Sequence, residues 1–418
     1  MSVRLPSFRG KESVPLGSLY VVRDERRGQQ QDLPLLSVTL NRGVVPRSEI
    51  ADDAEGRADS LNHYKVVRSG DLVVNRMSAY QGALGLAMVD GVASPDYLVL
   101  TPRAEVEGRY LVHWLKSSIG VYEMTRLLRG IGGDGSGGGT VRTPRINNSD
   151  LRGIRLSLPP LETQRLVAGF LDDQVSRMDE AIRLRREQVR AVQHRLQVAV
   201  DDSFHPSTYK MVKASMLLRV TPGYAFPSDG FVPDGSGIKL VRGINVGIGR
   251  LRWSDTVCWP EQTAHLRSWA LSAGDVVLGM DRPWIGEGLR IARVVASDLP
   301  ALLLQRVALL RVRDRLDTNY MFWAYQTAAF RKAVEAEMTG LSVPHLSGEQ
   351  IAGHMIPLRP LAEQQQVAVR LDEMATQVSA AAVEMVAQSD LLEERKRSLI
   401  TAAVTGEFDV TTASGRGV

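Results

Sequence analysis

The polar side chains best suited to recognition stand together in one stretch, Asn75-Arg-Met-Ser-Ala-Tyr-Gln-Gly82, directly after the apolar run Leu72–Val74. Asn and Gln amides offer a paired donor and acceptor that match an adenine edge. Arg suits guanine or phosphate, and Ser and Tyr hydroxyls suit phosphate. Asn75, Arg76, Ser78, Tyr80 and Gln81 are therefore candidates for contact with nucleic acid. A second stretch with the same surroundings, Gly279-Met-Asp-Arg-Pro-Trp-Ile-Gly286, offers Arg282 and Trp284. Asn41 and Arg42, loosely matched by Arg242 and Asn245, form a further set. For each of these the plain alternative is local turn support, and for Trp284 packing beneath its own loop is the commoner role.

Patterns for catalysis do not assemble. The seven histidines, His63, His113, His194, His205, His265, His345 and His354, include no short-spaced ligand pair, and the lone Cys258 rules out a Cys-based zinc site. Gly10-Lys11 is followed by Glu12 and lacks the upstream glycine of a phosphate-binding loop. Gly133-Asp-Gly-Ser-Gly137 and Asp234-Gly-Ser-Gly237 lack the frame of a nucleophile elbow. The glycine run Gly130–Gly139 reads as a flexible connector rather than a phosphate cradle, because no strand–loop–helix context surrounds it. No metal site and no resident cofactor are expected.

The elements that must carry the candidate residues occur twice, at an offset of 200 residues. Leu158-Pro-Pro-Leu-Glu-Thr-Gln164 returns as Leu358-Arg-Pro-Leu-Ala-Glu-Gln364, and Leu171-Asp172 as Leu371-Asp372. Upstream, Gly70-Asp-Leu-Val-Val74 resembles Gly274-Asp-Val-Val-Leu278, and Tyr110-Leu-Val-His-Trp114 resembles Tyr320-Met-Phe-Trp-Ala324. Order and near-constant offset argue for duplication. Each copy opens with short apolar runs between Gly, Pro and Asp turns: 33–40, 71–75, 84–89 and 97–100, then 238–244, 275–278, 289–295 and 305–312. A helical stretch follows, Tyr110–Arg129 and Tyr320–Met338. The pattern predicts an α+β fold with a mixed or mostly antiparallel sheet. The most apolar segment, Ala301–Leu310, reads as one buried strand.

Each copy then closes with a long helix opened by Pro160 or Pro360, a residue tolerated in a first turn. Gly169 is the sole Gly or Pro within Leu161–Asp202, and none falls within Leu361–Thr405. Apolar residues recur at alternating steps of three and four, the coiled-coil period. The a and d positions are Val175, Met178, Ile182, Arg185, Val189, Val192, Leu196 and Ala199. In the second copy they are Ala375, Val378, Ala382, Met385, Ser389, Leu392, Lys396 and Leu399. The two helices are expected to pack on each other rather than each on its own domain alone. A helix of some 42 residues is roughly 60 Å long. The basic run Arg183-Leu-Arg-Arg186 with Arg190 and Arg195 reads first as a solvated face. The organisation expected is a domain at 1–156, a helix at 157–205, a domain at 206–356, a helix at 357–410 and a disordered tail at 411–418.

Composition narrows the setting. Lys and Arg total 51 against 47 Asp and Glu, a formal +4 that permits a polyanionic partner without requiring one. A lone cysteine suits a reducing cytoplasm. No stretch has the length or apolarity of a membrane span or leader.

Two similar domains joined by long paired helices suit a bipartite target on an extended polymer, and double-stranded DNA presents such faces periodically. The repeated Pro-Pro-Leu-x-x-Gln phrase at the helix starts resembles the specificity subunits of Type I restriction–modification systems. So do the Gly70-Asp-Leu-Val-Val-Asn-Arg76 segment and the closing Leu399-Ile-Thr-Ala-Ala-Val-Thr-Gly-Glu-Phe-Asp409. The first copy carries Thr163 where that family has Glu, and the second carries Arg359 where it has the first Pro. The resemblance implies two target-recognition domains, each reading one half of a split DNA sequence, with the helices as antiparallel spacer. It implies two methyltransferase subunits docked on the chain, using S-adenosylmethionine to methylate adenine, and a motor–nuclease subunit able to join them. The Asn-Pro-Pro-Tyr/Phe motif of an adenine methyltransferase is missing from this chain; Leu158-Pro-Pro-Leu161 lacks both the Asn and the aromatic. The chemistry is expected on partners. The competing reading is a coiled-coil interaction scaffold that binds no DNA.

Overall fold

Alternation within the strands decides the layering. In the computed structural model, Leu72, Val74, Leu98 and Leu100 point to one face of a four-stranded sheet, while Val73 and Val99 point to the other. All six are buried, which explains why these strands read as continuous apolar runs rather than as alternating ones. The structure describes residues 13–28, 33–50, 61–128, 144–205, 209–232, 235–261, 263–286, 288–337 and 345–410. The glycine run 130–139 and the expected tail 411–418 lie outside the described residues. The chain divides into two compact units, Met1–Arg186 with Ala387–Val418, and Glu187–Val386.

In the first unit the sheet order is Tyr20–Val22, Tyr97–Pro102, Leu72–Asn75, Leu84–Leu86, antiparallel throughout. One face packs on Tyr110, Leu111 and Trp114 and on Val167, Leu171, Ile400 and Val404 of the two long helices. The other packs on Leu36, Val38, Val44, Val67 and Ala93, from the paired strands Leu36–Thr39 with Gly43–Pro46 and Lys65–Val67 with Gly91–Ala93. Strand Ser13–Pro15 pairs with Arg155–Ser157 beside the long helix.

The second unit repeats this order with Leu218–Pro222, Val307–Val312, Val276–Gly279 and Ile291–Arg293. Val276, Leu278, Ala308 and Leu310 face the helices; Val277 and Leu309 face a smaller sheet. That smaller sheet is mixed, because Ile238–Val241 runs parallel to Ala301–Leu303 and antiparallel to Cys258–Trp259. Met211–Lys213 with Met355–Pro357 matches the outer pair of the first unit.

Two expectations are corrected. The stretch Ala301–Leu310 is not one strand. It supplies Ala301–Leu303 to the small sheet and Val307–Val312 to the large one, with a turn at Gln305-Arg306 between them. The helical stretches 110–129 and 320–338 are each broken in two, as Gly108–Lys116 with Ser118–Arg126, and Thr318–Ala324 with Ala328–Glu337. The breaks have a shared cause. Ser117 Oγ accepts from the backbone N–H of Gly120 at 3.2 Å, and Thr327 Oγ1 from that of Phe330 at 3.3 Å. Each hydroxyl starts a new helix at the cost of continuing the old one. At Gly120 a Cβ would stand 2.3 Å from the Trp114 carbonyl, so the tight junction depends on the missing side chain.

The long helices run Leu161–Ser203 and Leu361–Thr405. Pro160 and Pro360 sit one residue ahead of them, where their carbonyls accept from Gln164 and Gln364 N–H at 3.0 Å. The repeated glutamine explains the phrase that announces each helix. Gln164 Oε1 accepts from Glu107 N–H at 2.8 Å, and its Nε2 donates to the carbonyls of Glu105 and Pro159 at 3.2 and 2.8 Å. Gln364 repeats this on Asp317, Arg315 and Arg359 at 2.8, 3.0 and 2.8 Å. Both amides are buried and satisfied on both atoms, so each tethers a helix start to the loop ahead of the shorter helix.

Within the first unit the opening of the first long helix meets the end of the second, antiparallel. Asp179 bonds Lys396 at 2.6 Å, and Arg186 stands 3.9 Å from Glu393. Burial pulls the Lys396 pKa down, but Asp179 and Glu393 outweigh it and hold it above the ordinary value, so this polar residue in the seam stays charged. Within the second unit the converse halves meet, with Arg370 donating to Ser203 Oγ at 2.9 Å. Arg359, the departure from Pro, donates to the Ser203 carbonyl at 2.8 Å at the end of the first helix. All the a and d residues named above are buried or half-buried. The helices therefore pack both on each other and on the domains.

Candidate nucleic-acid interface

The end of one central strand launches the candidate loop in each unit. In the first, Asn75 closes strand Leu72–Asn75, and its Oδ1 turns back to accept from Met77 N–H at 3.2 Å. A single 3-10 turn, Ala79–Gln81, follows and ends on Gly82 at φ +100°, a left-handed conformation that glycine adopts without strain. Gln81 is exposed and donates to Tyr80 Oη at 3.1 Å, while the Tyr80 ring packs against the core. Ser78 is half-buried. Arg76 is committed to the fold: its Nε donates to the Ile146 carbonyl at 3.2 Å, and its Nη2 bonds Asn147. Asn41 and Arg42 are exposed on the turn between strands Leu36–Thr39 and Gly43–Pro46, where Arg42 pairs with Glu49. The structure thus leaves Asn41, Tyr80 and Gln81 the freest of the first set.

The second unit differs. Asn245 is buried; its Oδ1 accepts from Arg242 N–H at 3.0 Å, and its Nδ2 donates to the carbonyls of Arg252 and Asp255, both at 2.9 Å. With no donor left over, it supports a turn and is not presented to a ligand. Arg242 is half-buried and paired with Asp255 at 2.8 Å. Trp284 packs against the core, with the Arg331 guanidinium 5.6 Å above its ring. Arg282 is exposed and, among the described residues, makes no side-chain hydrogen bond or ion pair.

Arg282 instead lines a cleft of about 500 Å³ with Gly243, Ile244, Asp281, Arg290, Gln305 and Arg306. In the sequence Gln305 and Arg306 only interrupt an apolar run, and no glycine or asparagine beside them marks a turn. Both are exposed. Met280 N–H donates to the Arg306 carbonyl at 2.9 Å, so the 305–306 turn lies directly beside the candidate loop. Arg282 and Arg306 have φ of +45° and +70°, and they are the two non-glycine residues with positive φ among the described residues. Such conformations cost on the order of 1–3 kcal/mol each. Arg290 is held by the carbonyls of Val246 and Asp281 at 3.1 and 3.3 Å and by that of Gly243, and burial lowers its pKa. Asp281 bonds His345 Nδ1 at 2.6 Å and stands 3.5 Å from Arg306 Nη1. Three guanidinium groups against one carboxylate make the cleft attractive to an anion or an electronegative base edge. Among the described residues no three His, Cys, Asp or Glu side chains group as a metal site. No helix there is long and apolar enough to cross a membrane.

No protein-family model matches the chain. It is 30% identical over 171 residues to the Type I restriction enzyme EcoAI specificity subunit of Escherichia coli, a match covering 40% of this chain and 28% of that one. It is 25% identical over 284 residues to the Type I restriction enzyme MjaVIII specificity subunit of Methanocaldococcus jannaschii, covering 64% and 65%. The chain thus spans less than two thirds of the length of either relative. A solved chain, described under structural basis of complex assembly and conformational transition of the type I R-M system, superposes with a TM-score of 0.71. That superposition covers 95% of this chain and 98% of the other at 18% identity, so it is the fold that the two share.

Proposed function

We infer that this chain, which takes its place among the specificity subunits of Type I restriction enzymes, reads a split DNA sequence with its two units, one half-site each. The observation that carries this reading is the pair of matched sheets that end in unmatched polar tips. The order of four strands is the same in both units, and the same strand launches the candidate loop. The side chains that loop presents differ: Tyr80 and Gln81 in one, Arg282 in the other. A common frame with divergent tips is what reading two different half-sites requires, because base edges differ while the backbone that positions the protein does not.

In this reading the long helices serve as the spacer and as the docking platform for two methyltransferase subunits. Those subunits bring S-adenosylmethionine and methylate adenine; a restriction subunit that translocates and cuts DNA can join. This chain performs recognition in the cytoplasm and leaves the covalent chemistry to its partners. The test is selection from randomised duplex DNA by the chain with its methyltransferase partner, followed by sequencing of the bound molecules. The expected result is two short conserved blocks with a constant gap. Binding that depends on salt alone, with no preferred sequence, would sink the reading and leave a scaffold.

A further inference from the structure

We propose that Arg306 is a specificity-determining residue of the second unit and that it reads guanine. The proposal rests on the DNA-reading function inferred above and adds the side chain and the base. Arg306 sits at the exposed turn between the two sheets of its unit, one hydrogen bond from the candidate loop. Its guanidinium is aimed rather than occupied. Nη1 alone meets Asp281 and His345, each at 3.5 Å, and Asp281 is itself steadied by His345 at 2.6 Å. Nε and Nη2 make no hydrogen bond among the described residues. A guanidinium held at one corner keeps its remaining donors for O6 and N7 of guanine, the bidentate pairing arginine makes in the major groove.

The first unit shows why a base, and not a phosphate, is the partner. The sheet registers align Asn75 opposite Tyr97 with Gly279 opposite Val307, so Asp96 holds the position of Arg306. Asp96 is half exposed and stands 3.5 Å from Arg145. Every DNA sequence has the same phosphates, so a phosphate anchor common to both units would place a cation here in both copies. Opposite charges at one sheet register suit partners that differ between the two units. Aspartate at this place suits the amino group of cytosine as arginine suits guanine.

The test uses the full chain in complex with its methyltransferase partner, at one fixed salt concentration. Randomised duplex DNA is selected by the unsubstituted chain, by Arg306→Ala and by Arg306→Gly. The unsubstituted chain should select a split motif with guanine fixed at one position. Both variants should lose about ten- to hundredfold discrimination at that position and keep the rest of the motif. Arg306→Gly also relieves the positive φ that Arg306→Ala keeps, so a loss of discrimination shared by both does not come from that strain. If both variants retain guanine, the proposal fails while the reading function stands. It also fails if affinity drops equally for all sequences, with the salt slope reduced by about one, because that marks a phosphate contact. If the unsubstituted chain selects no motif, the reading function itself fails.

Discussion

Gln164 and Gln364 show how much one side chain can decide. Each satisfies one backbone N–H and two carbonyls at the start of a 43- or 45-residue helix, and the two repeat each other's bonding group for group. Replacing either with leucine keeps the volume and strands three backbone groups. Gln164→Leu and Gln364→Leu should each cost about 3 kcal/mol, read as a lowered midpoint in urea unfolding. A cost below 1 kcal/mol would mean water replaces the amide. The aspartates that open the central strands teach the complementary lesson. Asp71 is bonded by Arg23 at 2.7 Å and by Thr101 at 2.7 Å, and Asp275 by Arg311 at 2.8 and 2.6 Å. Thr101 and Arg311 occupy the same register, so the cation has moved between strands while the buried carboxylate has stayed.

At the scale of elements, the long helices were legible because a seam needs apolar residues at fixed steps and a helix start needs its glutamine. The strands were legible in place but not in their limits, since both faces of the sheets are buried and alternation is lost. The turn at Gln305-Arg306 was not legible. A turn with positive φ is ordinarily announced by glycine or asparagine, and here an arginine adopts it between two apolar runs. For the same reason the arginine cleft is half visible in the sequence: Arg282 stands in an evident loop, whereas Arg306 lies inside what reads as a strand. Asn245 misled in the opposite sense, because an amide that caps a turn has the same letter as one that reads a base. The helices also carry a prediction. Removing seven paired residues from each, with the seam kept in phase, shortens the spacer by about 10 Å. That should shorten the gap in the selected DNA motif by about three base pairs and leave both half-sites unchanged. A change in the half-sites would refute the spacer role.

At the scale of the whole molecule, a formal +4 spread over 418 residues supplies little general attraction to DNA. Under the proposed function, attraction to DNA then rests on local clusters such as the arginine cleft of the second unit. The division of the chain has a further consequence, for the order in which it is made. The second unit is one unbroken stretch, Glu187–Val386, but the first needs Ala387–Val418 as well. Ile400, Ala403 and Val404 are part of its core, and Tyr110 Oη donates to the Val404 carbonyl at 2.9 Å. On the ribosome, the part synthesised first is therefore finished last. At about 5–20 residues per second, its apolar helix-facing surface waits tens of seconds for its missing piece. Protease added to stalled nascent chains should find the later-made unit shielded while residues 97–128 are still being cut. Early protection of those residues would refute this order and show that the first unit closes without its distant helix end.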